Sequence, residues 1–275
     1  MPVLATHGAR VSYSRTGTGP PVLLIQGVGA IGDAWRPQIN GLRDRFSLIA
    51  FDHRGLGAST MTAGTLSIEA MADDALAILD AEGVDRCHVV GHSMGALIAI
   101  QLALTCPRRV GSLALLCAFP NGRLGARLTR DTFLTAIRTR IGTRTTRRNA
   151  FLSLVLSEAG RRLTDRVWMA KEMGDMFGHD LADQPRIMMQ QLRAMSRFDP
   201  TWRLRCLSAV RTLVVNGKED RIARPEYGRM LADAIPGAAY VELDGAAHAV
   251  SIESSALINR LLVEHMTDVA RSTAS

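Results

Sequence analysis

The chain has 275 residues, 47% of them hydrophobic, with a formal net charge of +7 and a mean hydropathy of +0.07. These values exclude a disordered chain, and they leave room for one α/β domain or two small ones with a large core. No apolar run reaches the roughly 20 residues a membrane helix needs, and Met1–Gly19 lacks an apolar stretch behind basic residues, so neither a membrane span nor a secretory leader is expected.

Val11-Ser12-Tyr13-Ser14 alternates like a half-buried strand and is closed by the Gly17-Thr18-Gly19-Pro20-Pro21 turn. Val22-Leu23-Leu24-Ile25 is a continuous apolar run, as expected of a strand covered on both faces, and it runs into Gln26-Gly27-Val28-Gly29. Trp35–Leu42 reads as a short helix. Ser47–Asp52 is a second buried strand, followed by His53-Arg54-Gly55-Leu56-Gly57-Ala58-Ser59. Ser67 is placed to cap a helix reaching about Glu82. Cys87-His88-Val89-Val90 is strand-like, and Ala96–Leu104 is an apolar helix. Between them stands Gly91-His92-Ser93-Met94-Gly95, a Gly-x-Ser-x-Gly turn. Such a turn holds a serine hydroxyl out at a strand end, and its glycines are needed because side chains there would strike neighbouring backbone.

Val110–Cys117 reads as a further strand. The alternation of strands and helices then stops near Pro120, and Leu124–Phe198 offers helical patches only. It resumes with a strand at Val210–Asn216, a helix at Pro225–Ile235, a strand at Ala239–Leu243 and a last helix from about Ser254 to Val269. This order predicts an α/β fold: a mostly parallel central sheet with helices on both faces and one helical insertion. The expected division is a core of residues 1–121 and 201–275 with a helical cap at 122–200. That segment holds 15 Lys and Arg against 8 Asp and Glu, which accounts for the whole net charge. The run Arg138, Arg140, Arg144, Arg147 and Arg148 reads as a solvated surface, with attraction of an anionic substrate such as a carrier-linked thioester as the alternative. With no aromatic interleaving, no nucleic-acid partner is expected.

A serine hydroxyl becomes a nucleophile when a base takes its proton, and the base needs a carboxylate to fix its tautomer. His248, in the small-residue loop after Leu243, is the candidate base. Asp220, just past the Val210–Asn216 strand, is the candidate acid, ahead of Glu219, Asp244 and Asp52. Loops after parallel strands share one rim, so Ser93, Asp220 and His248 are expected to meet although remote in sequence. His92 lies inside the tight turn and is expected to point away from the hydroxyl. Asp52 is expected to brace the Arg54-Gly55 loop. The backbone N–H groups of Val28 and Met94 are the candidate donors to an oxyanion. The Gly27–Gly29 loop is not followed by Lys-Ser or Lys-Thr and forms no GxGxxG, so a nucleotide site is not expected. The four cysteines, Cys87, Cys106, Cys117 and Cys206, show no CxxC spacing. They read as thiols in a reducing, cytoplasmic compartment, and no metal or cofactor is expected.

Taken together, Gln26–Gly29, Asp52–Ser59, Gly91–Gly95, Gly217-Lys218-Glu219-Asp220 and Gly245-Ala246-Ala247-His248 resemble the α/β-hydrolase fold superfamily. The resemblance covers nearly the whole chain outside the insertion. It implies Ser93 as nucleophile, Asp220 as acid, His248 as base, Val28 and Met94 as oxyanion donors, and a helical cap. Many members have His-Gly where this chain has Gln26-Gly27, so the bonds bracing that loop are expected to differ. A serine at the elbow disfavours the chemistry of members with an aspartate nucleophile.

Trp168, Met169, Met173, Met188 and Met189 are the candidate pocket residues, as parts of an apolar, adaptable acyl site. The expected activity is cofactor-independent hydrolysis of a carboxylic ester. Lactone, thioester or C–C bond cleavage, or perhydrolysis, with the same three residues is the alternative, and a ligand-binding module of the same fold is the non-enzymatic one. The expected partner is a small ester-type molecule, with a homodimer allowed and no membrane association.

Overall fold

A computed structural model describes residues 1–127 and 129–272. Among these residues the nine strands are β1 Val3–Thr6, β2 Ala9–Thr16, β3 Pro21–Ile25, β4 Ser47–Phe51, β5 Thr60–Met61, β6 Cys87–His92, β7 Val110–Leu116, β8 Thr212–Gly217 and β9 Ala239–Leu243. They form one sheet in the order β1-β2-β4-β3-β6-β7-β8-β9, with β5 on β2. Pairing is antiparallel where β2 meets β1, β4 and β5 and parallel from β4 through β9. The parallel strands β3, β4, β6, β7 and β8 are buried almost throughout, which explains their unbroken apolar runs.

Helices Ile68–Ala81 and Met94–Thr105 pack together, as do Arg36–Leu42 and Ser255–Ser272, and these helices flank the sheet. Ser67 caps the first of them, its hydroxyl accepting from the Ala70 N–H. The short edge strands β1 and β5 lie outside the sequence reading, and the helix expected at Trp35–Leu42 begins with a 3₁₀ turn at Gly32–Trp35.

Among the described residues, six α-helices stand between β7 and β8, Gly122–Gly125, Arg130–Arg138, Arg144–Val155, Glu158–Leu163, Arg166–Phe177 and Arg186–Arg197, followed by a 3₁₀ helix at Thr201–Leu207. Part of this insertion builds its own apolar cluster. Leu152, Val155, Ala170, Met173 and Met176 pack there with Ala30 and Ala34 after β3 and Ala249 after β9. The inserted helices are therefore seated on the loops at the C-terminal edge of the sheet. The basic run is more than a solvated surface. Arg144 donates to Asp180 (2.7 Å) and Asp183 (2.8 Å), and Arg148 also pairs with Asp180. These bonds tie one inserted helix to the loop before the last. Arg148 and Arg144 hold the Asp180 carboxyl far below the usual carboxylate range.

Candidate active site

The parallel strands β3, β6, β7, β8 and β9 end at one rim, and the loops after them line the site. The turn after β6 is forced by close approach. A Cβ on Gly91 would lie 2.4 Å from the Gly95 carbonyl oxygen, and one on Gly95 would lie 2.1 Å from that of Ile25. Only hydrogen fits at either position. Ser93 itself adopts φ 55°, ψ −117°, a conformation that costs a non-glycine residue about 1–3 kcal/mol. Its N–H is tied to the Leu116 carbonyl at 2.9 Å. The strain buries the serine at 7% exposure and aims its hydroxyl along the rim.

His248 Nε2 lies 3.1 Å from Ser93 Oγ, and His248 Nδ1 lies 2.8 Å from Asp220 Oδ2. A carboxylate only accepts, so Nδ1 carries the proton and Nε2 presents its lone pair to the hydroxyl. The other Asp220 oxygen accepts from the Ile222 and Ala223 N–H groups, both at 2.8 Å. The carboxylate, 3% exposed, is therefore fixed from both sides. Such a chain can carry a proton off a serine as it attacks a carbonyl carbon.

The rival residues lie elsewhere. Asp244 makes an exposed pair with Lys218, and Glu219 accepts from the Glu158 N–H. Asp52 accepts from the Gly32 and Ala58 N–H groups, holding the loop around Arg54-Gly55 at its far end. Arg54 itself pairs with the buried Asp74 at 2.7 Å. His92 turns away from the hydroxyl, and its Nε2 donates to the His248 carbonyl at 2.8 Å. Burial pushes the His92 pKa down to about 4, so it stays neutral.

The Gln26–Gly29 loop crosses close above Ser93: a Cβ on Gly27 would sit 3.1 Å from the Ser93 Cβ. Among the described residues nothing accepts a hydrogen bond from the N–H of Val28 or of Met94. The departure at Gln26 is compensated locally. Its side-chain oxygen accepts from the Gly27 N–H at 3.2 Å, and its carbonyl accepts from His53 Nε2 at 2.8 Å.

A cavity of about 320 Å³ opens on Ser93 and His248. Val28, Phe119, Phe151, Leu154, Met173, Phe177, Met188, Leu192, Met195 and Ile222 give it an apolar wall, with Gln26, Thr139, Arg140, Gln184 and Ser251 as polar points. Of the five expected pocket residues, Met173 and Met188 line it. Trp168 is 55% exposed and Met189 38% exposed, while Met169 lines a separate small cleft beside Leu152 and Arg161. The buried face of Arg166–Phe177 is Ala170, Met173, Gly174 and Met176, and a helix that buries this face turns Trp168 outward.

The sequence reading missed Glu253, whose carboxylate accepts from the Ala247 N–H (2.5 Å) and the Ser157 N–H (3.0 Å). It thereby joins the His248 loop to the insertion. Cys117, at φ 49° beyond β7, is also near the site. Ligand atoms of His92, Cys117 and His248 lie within 4.8 Å of one another. As a metal set this is poor, because both His248 nitrogens are engaged and burial holds the Cys117 thiol protonated.

The parallel sheet, the strained serine turn and the hydrogen-bonded serine, histidine and aspartate define a hydrolase. The sequence matches the alpha/beta hydrolase fold family over residues 20–255, and the chain belongs to that family. A protein of Azorhizobium caulinodans provisionally named carbamate hydrolase RutD is 33% identical over 271 residues, covering 96% of this chain and 97% of its own. The crystal structure of the enol-lactonase from Burkholderia xenovorans LB400 superposes with a TM-score of 0.80 at 27% identity, covering 97% of this chain and 100% of that one. A thermophilic esterase from Thermogutta terrifontis gives a TM-score of 0.78 at 27% identity, with 97% of both chains covered. Among the described residues no helix is long and apolar enough to cross a membrane.

Proposed function

We propose that the protein hydrolyses a carboxylic ester with an apolar acyl group, through an acyl-enzyme on Ser93. The observation that carries this reading is the pair of His248 contacts, 3.1 Å to Ser93 Oγ and 2.8 Å to Asp220 Oδ2. His248 Nε2 takes the hydroxyl proton as Oγ attacks the acyl carbon, while Asp220 stays ionised and steadies the imidazolium. The Val28 and Met94 N–H groups receive the negative charge that develops on the carbonyl oxygen, and such donors typically contribute about 3 kcal/mol each. The tetrahedral intermediate collapses as His248 returns the proton to the departing alkoxide. Water, deprotonated by the same nitrogen, then frees the acid and restores Ser93. In this reading the inserted helices act as a cap, since Phe151, Met173 and Phe177 wall the acyl cavity.

Carbamate cleavage is the name carried by the A. caulinodans relative, and lactone opening that of the B. xenovorans neighbour. Each bond offers a carbonyl carbon that Ser93 Oγ can attack with the help of His248 and Asp220. The mainly apolar wall favours an acyl chain or a lactone ring over a small polar carbamate, whose desolvation it would not compensate. The test compares kcat/KM for p-nitrophenyl acetate and butyrate, an N-acyl lactone, an acyl-CoA thioester and a small carbamate. The proposal expects butyrate turnover in the wild type and none above background in Ser93→Ala. Preference for the carbamate, or activity surviving in Ser93→Ala, would overturn it.

A further inference from the structure

We infer that Gln191 is a positioning residue that holds the oxyanion loop in place from the inserted helices, an inference that rests on the reading of Val28 as an oxyanion donor. The loop is secured differently on its two sides. Before Val28, the anchors belong to the sheet region: Gln26 holds the Gly27 N–H and His53 holds the Gln26 carbonyl. After Val28, the hydrogen bonds to Gly29 come from the insertion. Its N–H donates to Gln191 Oε1 at 2.9 Å, and its carbonyl faces His179 Nε2 at 3.2 Å. The Met188 side chain lies where a Cβ would stand, with its Cε 2.8 Å away.

Gly29 needs such anchoring. At φ +75° it occupies a region that glycine enters and leaves freely. The Val28–Gly29 peptide plane carries the Gly29 N–H and adjoins the Val28 donor. The Val28 N–H itself lies in the preceding Gly27–Val28 plane, and the two planes meet at the Val28 Cα, so a displacement of the second carries that hinge, and the Val28 N–H with it, relative to Ser93. Gln191 Oε1 fixes the plane by its one hydrogen bond.

The side chain's own chemistry agrees. Gln191 is fully buried, yet its Nε2 has no hydrogen-bond partner among the described residues. An apolar side chain of the same length would bury more favourably, because a half-satisfied amide is a poor packing element. What glutamine provides here and methionine does not is an acceptor aimed at Gly29.

The experiment compares wild type, Gln191→Met and Gln191→Glu in the same ester assay, with melting temperature recorded for each. Gln191→Met keeps the length and removes the acceptor; Gln191→Glu keeps an acceptor oxygen. Gln191→Met should lower kcat about tenfold, a barrier rise of ~1.4 kcal/mol, with KM within about twofold. A trifluoromethyl ketone analogue of the substrate should lose affinity by a similar factor, since it reports the oxyanion donors directly. Gln191→Glu should recover most of both losses. Unchanged kcat in a folded Gln191→Met, or a rise in KM alone, would overturn the inference and leave Gln191 a packing residue. If Gln191→Met does not fold, Gln191→Asn, which withdraws the amide by one methylene, reads the same quantities with the same criteria. Failure of the underlying hydrolase reading looks different: wild-type turnover would then be indifferent to Ser93→Ala, whatever Gln191 does.

Discussion

The sheet edge and the inserted helices meet at one cavity but are built on different principles. At the edge, buried polar groups are tied to one another or to backbone: Ser93 to Leu116, Asp220 to Ile222 and Ala223, His92 to His248. In the insertion, the buried Gln191–Gly29 bond stands beside a set of half-exposed arginine–aspartate pairs. Among the described residues, eight of the 13 exposed large hydrophobics also lie there, between Phe133 and Met189. One region fixes positions to within a hydrogen bond; the other, apart from the Gln191 anchor on Gly29, supplies shape and tolerates change. Chemistry should therefore be sensitive to the first, and selectivity to the second.

The sharpest way to break this contrast is at the edge. His248→Ala should reduce ester turnover by roughly ten-thousandfold or more with the fold intact. A loss below a hundredfold in kcat would show that the histidine is dispensable. Gly95→Ala tests the backbone rather than the chemistry. The added Cβ meets the Ile25 carbonyl oxygen at 2.1 Å, so a loss of several kcal/mol, read as a melting temperature lower by ~5–10 °C, is expected. An unchanged melting temperature would mean the turn has slack.

In the insertion the effects should be smaller and of another kind. Phe151 stacks edge-on against Phe177 at 5.6 Å and lines the cavity. Phe151→Ala should move the preference among p-nitrophenyl esters toward longer chains by about tenfold, with kcat on the best substrate little altered. An equal loss on all chain lengths would assign Phe151 to the fold alone. Trp168→Ala and Met189→Ala should leave kcat/KM within about twofold of wild type, as for surface substitutions.

Acid should also separate the regions. His88, His92 and His265, all on or beside the sheet, are pushed down to about 4 by burial. Unfolded, each takes a proton near pH 6.5. The unfolded state thus binds more protons between pH 6.5 and 4, and stability falls as pH drops across that window. Asp180, depressed by Arg148 and Arg144, acts in the same direction but in a lower window. Its contribution is present above the unfolded aspartate value and is lost only as pH falls further, through its depressed native value. Melting temperature should therefore decline from pH 6.5 downward in wild type, and less steeply in His265→Gln. A flat profile to pH 4.5 would contradict the buried-neutral assignment.

How far the sequence could be read follows the same division. Ser93, Asp220 and His248 were legible because each sits just beyond a buried apolar strand, and the Gly91 and Gly95 requirement is local. The edge strand β1 escaped because its four residues are alternately exposed and half-buried, and β5 has only two residues. Pocket residues were legible only by type. Met188 and Met189 are neighbours in sequence, yet one lines the cavity and the other does not. The face a helix turns inward is set by tertiary packing, here by Ile187, Gln191, Ala194 and Met195. Gln191 and His179 were invisible because their partner, Gly29, is 162 and 150 residues away.

The central claim is that Ser93 is made reactive by His248. It is tested most directly by a labelled fluorophosphonate, with the adduct mapped by mass spectrometry in wild type and His248→Ala. One adduct per chain on Ser93, formed rapidly in wild type and lost in the variant, is the result this account predicts. Labelling at another residue, or Ser93 labelled equally fast without His248, would contradict it.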